Sequence, residues 1–464
     1  MRFNSRGRKL RCGLAVISVL GLTALGPAQP ALADELEFQP PPLVPANPPT
    51  GPLSPKGNFE PTQGCMQANT SGTSVEEKPW SQRVLGFEQA HEEGWKGSGK
   101  TIGVIDTGVN QHSRLQLNDG GGSAVPEGGP NTDCDGHGTV VAGIIGASED
   151  PSTGFVGVAP QSTIMSLRQS SSLFQDKAQD KTIGDTETMA QAVQYAADRN
   201  VDVINISQSS CQTMASAIAD GGRYNNLLYN AVKNAFDKNI VIVAAAGNTQ
   251  DSCQKNPSGN PTTAVLPAWY DEYVLTVASV GPQGGPSEFT VPGPWVDVAA
   301  PGEELAALDP GKGGSGVVNQ LATGPQGEPG PIQGTSFAAP YVSGLAVLVK
   351  EKFPQLSAKD VMDRIETTSL SPGGPNGRND IVGHGMIDPM AALSDIVPGE
   401  HGKEPAPAKP ARLGADVLPQ TDWAAMTISL GGALGGIGAV LFTAFLLNAI
   451  RTVRARRAGD LDED

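Results

Sequence analysis

The sequence predicts an α/β domain with a mostly parallel central sheet covered on both faces, an N-terminal extension that wraps it, and one C-terminal transmembrane helix. Three observations carry this expectation. From Trp80 to about Val397, short apolar runs alternate with amphipathic stretches, the pattern of buried parallel strands joined by crossover helices. Ahead of that region lies a stretch rich in Pro, Asn, Ser and Gly, with no sustained period of 2 or 3.6. Behind it comes an uncharged apolar run over 424–450, followed at once by Arg451, Arg454, Arg456 and Arg457.

The elements follow in chain order. Arg2, Arg6, Arg8, Lys9 and Arg11 form a basic start, and residues 13–25 are apolar but too few to span a bilayer comfortably. Ala31-Leu32-Ala33 then supplies the small residues that a signal peptidase reads, so residues 1–33 are expected to leave as a signal peptide. Residues 34–79 read as an extended, wrapping segment rather than a domain. Within residues 80–397, strands are expected at 101–105, 162–167, 201–206, 240–244 and 274–277. Helices are expected at 139–145, 187–198, 227–238, 337–350 and 358–367. Loop insertions are expected at 112–131, 168–186 and 303–333; the last has a collagen-like rhythm over 324–330, far too short for a triple helix. Residues 398–422 form a Pro/Ala-rich linker. The segment 423–450 opens on Trp423, an interfacial aromatic, and is long enough at helical rise to cross about 30 Å. The arginines after it place the tail, 451–464, on the cytoplasmic side. Gly431 and Gly435, and Gly432 and Gly436, have the spacing that lets a second helix approach closely.

Charge and cysteine content narrow the function. The formal net charge is −16. Residues 1–33 carry five bases and no acid, and the charges of 451–464 cancel, so the stretch between holds −21. Such a surface argues against nucleic acid and anionic lipid as partners and suits an extracytoplasmic domain. Once Cys12 has left with the signal, Cys65, Cys134, Cys211 and Cys253 remain. Four cysteines in an exported chain suggest two disulfides, and three pairings are open.

Three motifs carry chemistry. Val104-Ile105-Asp106-Thr107-Gly108 puts a carboxylate at the end of a buried strand, where α/β sheets place ligands and catalysis. Asp133-Cys134-Asp135-Gly136-His137-Gly138-Thr139 puts an imidazole at a helix start, flanked by glycines. Gly334-Thr335-Ser336-Phe337-Ala338-Ala339-Pro340 puts a hydroxyl at another helix start, where N–H groups and the helix dipole favour negative charge. Taken singly, each reads as a cap or turn residue. Together they supply what hydrolysis by a serine needs: a nucleophile, a base to take its proton, and a carboxylate to orient that base.

Strand–Asp, helix–His and helix–Ser in that order resemble the subtilase family. Further matches are Val203-Ile204-Asn205-Ile206-Ser207, Ala246-Gly247-Asn248, Ala300-Pro301-Gly302 and Gly383-x-Gly385-x-Ile387-Asp388-Pro389, and they cover about residues 80–395. The resemblance implies a subtilisin-like three-layer domain and a serine endopeptidase with Asp106, His137 and Ser336 as its triad. It also implies Asn248 and the Ser336 N–H as oxyanion donors; no cofactor is expected, and the acidic loops match none of the family's calcium sites clearly, so no metal ligand is named. The edge that binds substrate in the family is here Ser207, Gln208 and Ser209, in place of the usual Ser-Leu-Gly, so the first specificity pocket is altered. Cys134 inside the His motif, Cys211 after the Ile-Ser strand, Lys78-Pro79-Trp80-Ser81-Gln82-Arg83, the signal and the anchor resemble the mycosins within that family. That narrower likeness implies disulfides Cys65–Cys134 and Cys211–Cys253. It also implies exported protein substrates and the membrane components of a type VII secretion complex as partners. A structural subunit of that complex, independent of proteolysis, is the alternative role.

Overall fold

The computed structural model describes residues 38–69, 75–220, 222–250, 252–322, 329–397, 400 and 436–452. The expected signal peptide, nearly all of the linker, residues 423–435 of the expected membrane span and all but two residues of the tail lie outside them, as do residues 323–328 of the collagen-like loop.

Seven strands build the central sheet: β1 (Thr101–Asp106), β2 (Gly122–Ser123), β3 (Thr163–Arg168), β4 (Val203–Ile206), β5 (Val241–Ala245), β6 (Leu275–Val280) and β7 (Val298–Pro301). Their order is β7-β6-β5-β4-β1-β3-β2, and every pairing is parallel. Successive side chains of a strand face opposite ways, and here both sides are covered. Ile105, Ile204, Ile206, Ile242 and Ala244 pack on one side with Ala190, Val193, Leu228 and Val232. These partners come from α2 (Thr186–Asp198) and α3 (Arg223–Asp237). Ile102, Val104, Val203, Val241 and Val243 pack on the other side with Val140, Ile144, Val342 and Leu345. Those belong to α1 (His137–Gly146) and α4 (Thr335–Lys352), and α5 (Ala358–Thr367) joins the same face. Two helices start at capping boxes, Asp185 with Thr188 before α2 and Ser357 with Asp360 before α5.

Every expected strand and helix is present, with ends moved by up to four residues. The expected insertion at 168–186 contains an antiparallel ribbon, Ser171–Asp176 with Lys181–Ile183. Its third strand, Glu60–Pro61, comes from the N-terminal extension. Ser, Gln, Asp and Lys in that stretch hide the alternation, and its pairing partner lies over a hundred residues away. A second short ribbon, Ser210–Thr213 with Thr263–Leu266, follows β4.

The extension runs along the domain surface. The Phe38 carbonyl accepts from Trp269 Nε1 at 2.6 Å, the Val44 carbonyl from Asn230 Nδ2 at 2.8 Å and the Pro52 carbonyl from Gln191 Nε2 at 3.1 Å. Leu53 is buried, Met66 N–H donates to the Cys134 carbonyl, and Asn69 N–H donates to Asp309. Disulfides join Cys65 to Cys134 and Cys211 to Cys253. At the domain entrance Trp80 Nε1 donates to the carbonyls of Glu303 and Glu304.

A second unit spans residues 401–464 and is described only over 436–452, where it is helical. Ile437, Val440, Leu441, Phe442, Phe445, Leu446 and Leu447 are exposed along it. No helix among the described residues is long and apolar enough to cross a membrane.

Candidate active site

Parallel strands bring their C-terminal ends to one edge of the sheet. Asp106 ends β1, Ser207 follows β4, and Asn248 follows β5. α1 and α4 begin at that edge, which carries His137 and Ser336 to the same place. Asp106 is fully buried, and its Oδ1 accepts from His137 Nδ1 at 2.7 Å and from the Thr107 N–H at 2.7 Å. His137 Nε2 lies 2.9 Å from Ser336 Oγ. An ionised carboxylate only accepts, so the hydrogen sits on Nδ1 and leaves Nε2 free to accept the Ser336 hydroxyl. Burial pushes the His137 pKa down, but Asp106, together with Asp133 and Asp135, outweighs that and leaves it above its ordinary value.

Asn248 is fixed by its neighbour. Its Oδ1 accepts from Thr335 N–H at 2.9 Å and from Thr335 Oγ1 at 3.0 Å. A backbone N–H must meet an oxygen, so the amide cannot turn over, and Nδ2 is held on the side of Ser336. Gly334 measures the space between them. Its φ is +148°, and a Cβ there would lie 3.0 Å from Ser336 Oγ and 3.2 Å from Asn248 Nδ2. The absence of a side chain leaves a point within reach of a hydroxyl that can attack and an amide that can receive negative charge.

The subtilase family pattern matches residues 97–385. The chain belongs to the subtilase family. Mycosin-4 of Mycobacterium tuberculosis is 45% identical over 377 residues, 78% of this chain and 80% of that protein. A structure of the serine protease MycP1, described as an essential component of the type VII (ESX-1) secretion system, superposes with a TM-score of 0.68 at 36% identity. It covers 77% of this chain and 100% of that one. A chain of the intact ESX-5 inner membrane complex superposes with a TM-score of 0.70 at 35% identity, over 88% and 99% of the two chains. The chain is therefore a subtilisin-like serine peptidase of mycosin type.

Pro340 makes a local demand on the peptidase. Having no N–H, it cannot donate to the carbonyl four residues back, that of Ser336. Ser207 Oγ donates to that carbonyl instead, at 2.7 Å, and Asn205 Nδ2 donates to Ser207 Oγ at 2.9 Å. Ser343, two turns along α4, donates to Asn205 Oδ1 at 2.8 Å. The buried chain ties the first turn of α4 to β4. The Ser207 hydroxyl therefore turns inward, and only its backbone is left for a peptide.

The site opens into a cleft of about 620 Å³. Gln208 and Ser209 line it, with Cys211, Gln250, Ser252 and Cys253 on the same side. Gln169–Ser172, Ile183, Asp185 and Met189 line it as well. Asp135 pins Ser171 and Ser172, accepting from the Ser172 N–H and hydroxyl and from the Ser171 hydroxyl. No residue of the extension lines the cleft among the described residues. Nor is any group of three or more His, Cys, Asp or Glu side chains among them arranged to hold a metal ion.

Three neighbours of the candidate site escaped the sequence reading. Thr107 and Asp133 stand behind the Asp106–His137 pair, and Asn205 stands behind Ser207. Asp133 was visible in the histidine motif as a carboxylate four residues ahead of His137, a spacing that lets it reach the open N–H groups of a helix start.

Proposed function

We propose that the peptidase cleaves exported proteins at the outer face of the cytoplasmic membrane through an acyl-enzyme on Ser336. His137 Nε2 takes the hydroxyl proton as Ser336 Oγ attacks the scissile carbonyl carbon. Asp106 holds the imidazole by Nδ1 and stabilises its positive charge. Asn248 Nδ2 and the Ser336 N–H receive the oxyanion. His137 then returns the proton to the leaving amine, and a water deprotonated by the same imidazole releases the acyl group. The observation that carries this reading is at Gly334, where the point a Cβ would occupy lies 3.0 Å from Ser336 Oγ and 3.2 Å from Asn248 Nδ2.

The remaining parts of the reading are a cleaved signal over 1–33 and a retained extension over 34–79. They continue with a catalytic domain over 80–397, a linker over 398–422, a membrane anchor over 423–450 and a cytoplasmic tail. The exposed apolar side chains of the 436–452 helix support the anchor. The cleft lining, which holds no described residue of the extension, supports a wrapping role rather than an inhibitory one. The likeness to a chain of the ESX-5 inner membrane complex supports membrane components of a type VII secretion system as partners.

Labelling of the purified ectodomain by a fluorophosphonate, abolished in Ser336→Ala, is the expected result. Failure of the wild-type ectodomain to label would remove the enzyme mechanism. That same likeness favours a second reading, a structural subunit of the complex. If secretion persists with Ser336→Ala but stops when the whole chain is deleted, the structural role is the indispensable one.

A further inference from the structure

We propose that Asp133 is a positioning residue for the reaction, acting through the Thr107 hydroxyl to hold the histidine helix and to set the basicity of His137. The inference rests on the reading of His137 as the base for Ser336.

Asp133 is buried and accepts four hydrogen bonds. Its Oδ1 takes the Gly136 N–H at 2.8 Å and the Thr107 hydroxyl at 2.9 Å. Its Oδ2 takes the Thr139 N–H at 2.8 Å and the Thr139 hydroxyl at 2.7 Å. Thr107 Oγ1 in turn accepts the Gly138 N–H at 3.0 Å. Three N–H groups at the start of α1, with His137 among them in sequence, are thus held by Asp133 and by the residue next to Asp106. The two side chains fix the histidine-bearing helix against the aspartate-bearing strand, so they set the His137–Asp106 geometry that substrate never touches.

The Thr107 hydroxyl has one proton and two carboxylates within reach, Asp133 Oδ1 at 2.9 Å and Asp106 Oδ1 at 3.2 Å. While Asp133 is ionised, the shorter bond takes the proton, and Asp106 keeps its charge for His137. When Asp133 is neutral, the hydroxyl turns to Asp106 and competes with the imidazole, and one negative charge near His137 is gone. Both changes lower the basicity of His137. The other charged groups facing Asp133 are Arg168, whose Nε donates to the Thr107 carbonyl at 3.1 Å, and Asp106 itself; Asp135 faces Arg168 and His137. Burial, with Asp106 adding to it, lifts Asp133 to about 6 even with four donors, so it changes charge close to neutral pH.

The test is kinetic and spectroscopic on the oxidised ectodomain. Asp133→Asn is expected to lower kcat by about 10- to 100-fold, by analogy with the partners that orient metal-bound histidines, with KM nearly unchanged. The acid limb of kcat/KM is expected to move to lower pH by roughly half a unit or more. Thr107→Val removes the shared hydroxyl, favours neutral Asp133, and is expected to move the limb the same way. Thr107→Ser keeps the hydroxyl and is expected to match the wild type. If Asp133→Asn does not fold, the two Thr107 variants carry the comparison. The His137 titration followed by imidazole NMR should show the same downward shift without any reference to turnover. Superimposable His137 titrations in wild type and variants, with loss only of thermal stability, would overturn the proposal. Turnover that survives Ser336→Ala would instead overturn the triad reading on which it rests.

Discussion

Replacing Asn248 separates the two jobs that the proposed mechanism gives to one amide. Asn248→Ala removes Nδ2, the donor beside Ser336, and also the acceptor of the buried Thr335 N–H. In the proposed mechanism the first loss is one of transition-state stabilisation. In subtilisin an oxyanion donor of this kind is worth about 100- to 1000-fold in kcat, or about 3–4 kcal/mol. The second loss is structural, because a buried N–H left unpaired costs about 1–3 kcal/mol. Asn248→Asp tells them apart. The carboxylate still accepts from Thr335, so the melting temperature is expected to stay near the wild type, but an acceptor now stands where the oxyanion forms. Initial-rate kinetics on a peptide anilide are therefore expected to show kcat lowered by at least about 100-fold in both variants, with KM within a few-fold. Only Asn248→Ala is expected to melt earlier. If Asn248→Asp kept kcat within tenfold of wild type, or if the loss appeared in KM, Asn248 would not be an oxyanion donor.

Other outcomes follow from the same geometry. Because His137 titrates above its ordinary 6.5 and must be neutral to accept the Ser336 proton, kcat/KM should fall as pH drops through a value above 6.5; a pH profile with its acid limb below 6 would contradict this. Gly334→Ala puts a methyl within 3.0 Å of Ser336 Oγ, so fluorophosphonate labelling should slow by orders of magnitude while circular dichroism stays native in form. Removing Cys65–Cys134, which closes a 69-residue separation, should cost about 4 kcal/mol in the chain-entropy model, read as a lower denaturant midpoint; an unchanged midpoint would show that the extension is held by its other contacts. Arg364 and Glu400 are a nearly fully buried ion pair, so Glu400→Ala strands a buried guanidinium and should destabilise by about 3–5 kcal/mol in thermal melts.

The sheet and its helices were legible because their residues repeat with the period of the elements they form. Ile102, Val104 and Ile105 form a short β-branched apolar run that suits a strand buried on both faces, and the apolar stripe of Leu227, Ala231 and Ala235 suits a helix seated on one. The three site motifs were legible for a related reason, since each pairs a reactive side chain with glycines that keep the space around it open. What the sequence hid depends on partners distant along the chain. Glu60–Pro61 looks like coil until Ser171–Asp176 is beside it. Ser207 reads as a cleft residue until the missing N–H of Pro340 claims its hydroxyl. Asp133 and Thr107 look like ordinary polar turn residues, because their importance lies in which N–H groups the folded backbone turns toward them.

The path of the extension also fixes an order of events. Phe38 and Asn69 are among the earliest residues to be made, yet their partners Trp269 and Asp309 lie 231 and 240 positions later. A chain synthesised from its N-terminus produces this strap before any of those seats exist. Contacts at such separation form only after most of the loop entropy between them has been lost to the rest of the fold. Cys65 therefore spends the early life of the chain as an unpaired thiol, and its bond to Cys134 becomes durable only as the domain beneath it takes shape. The strap is made before its seats and is fastened only once they have folded.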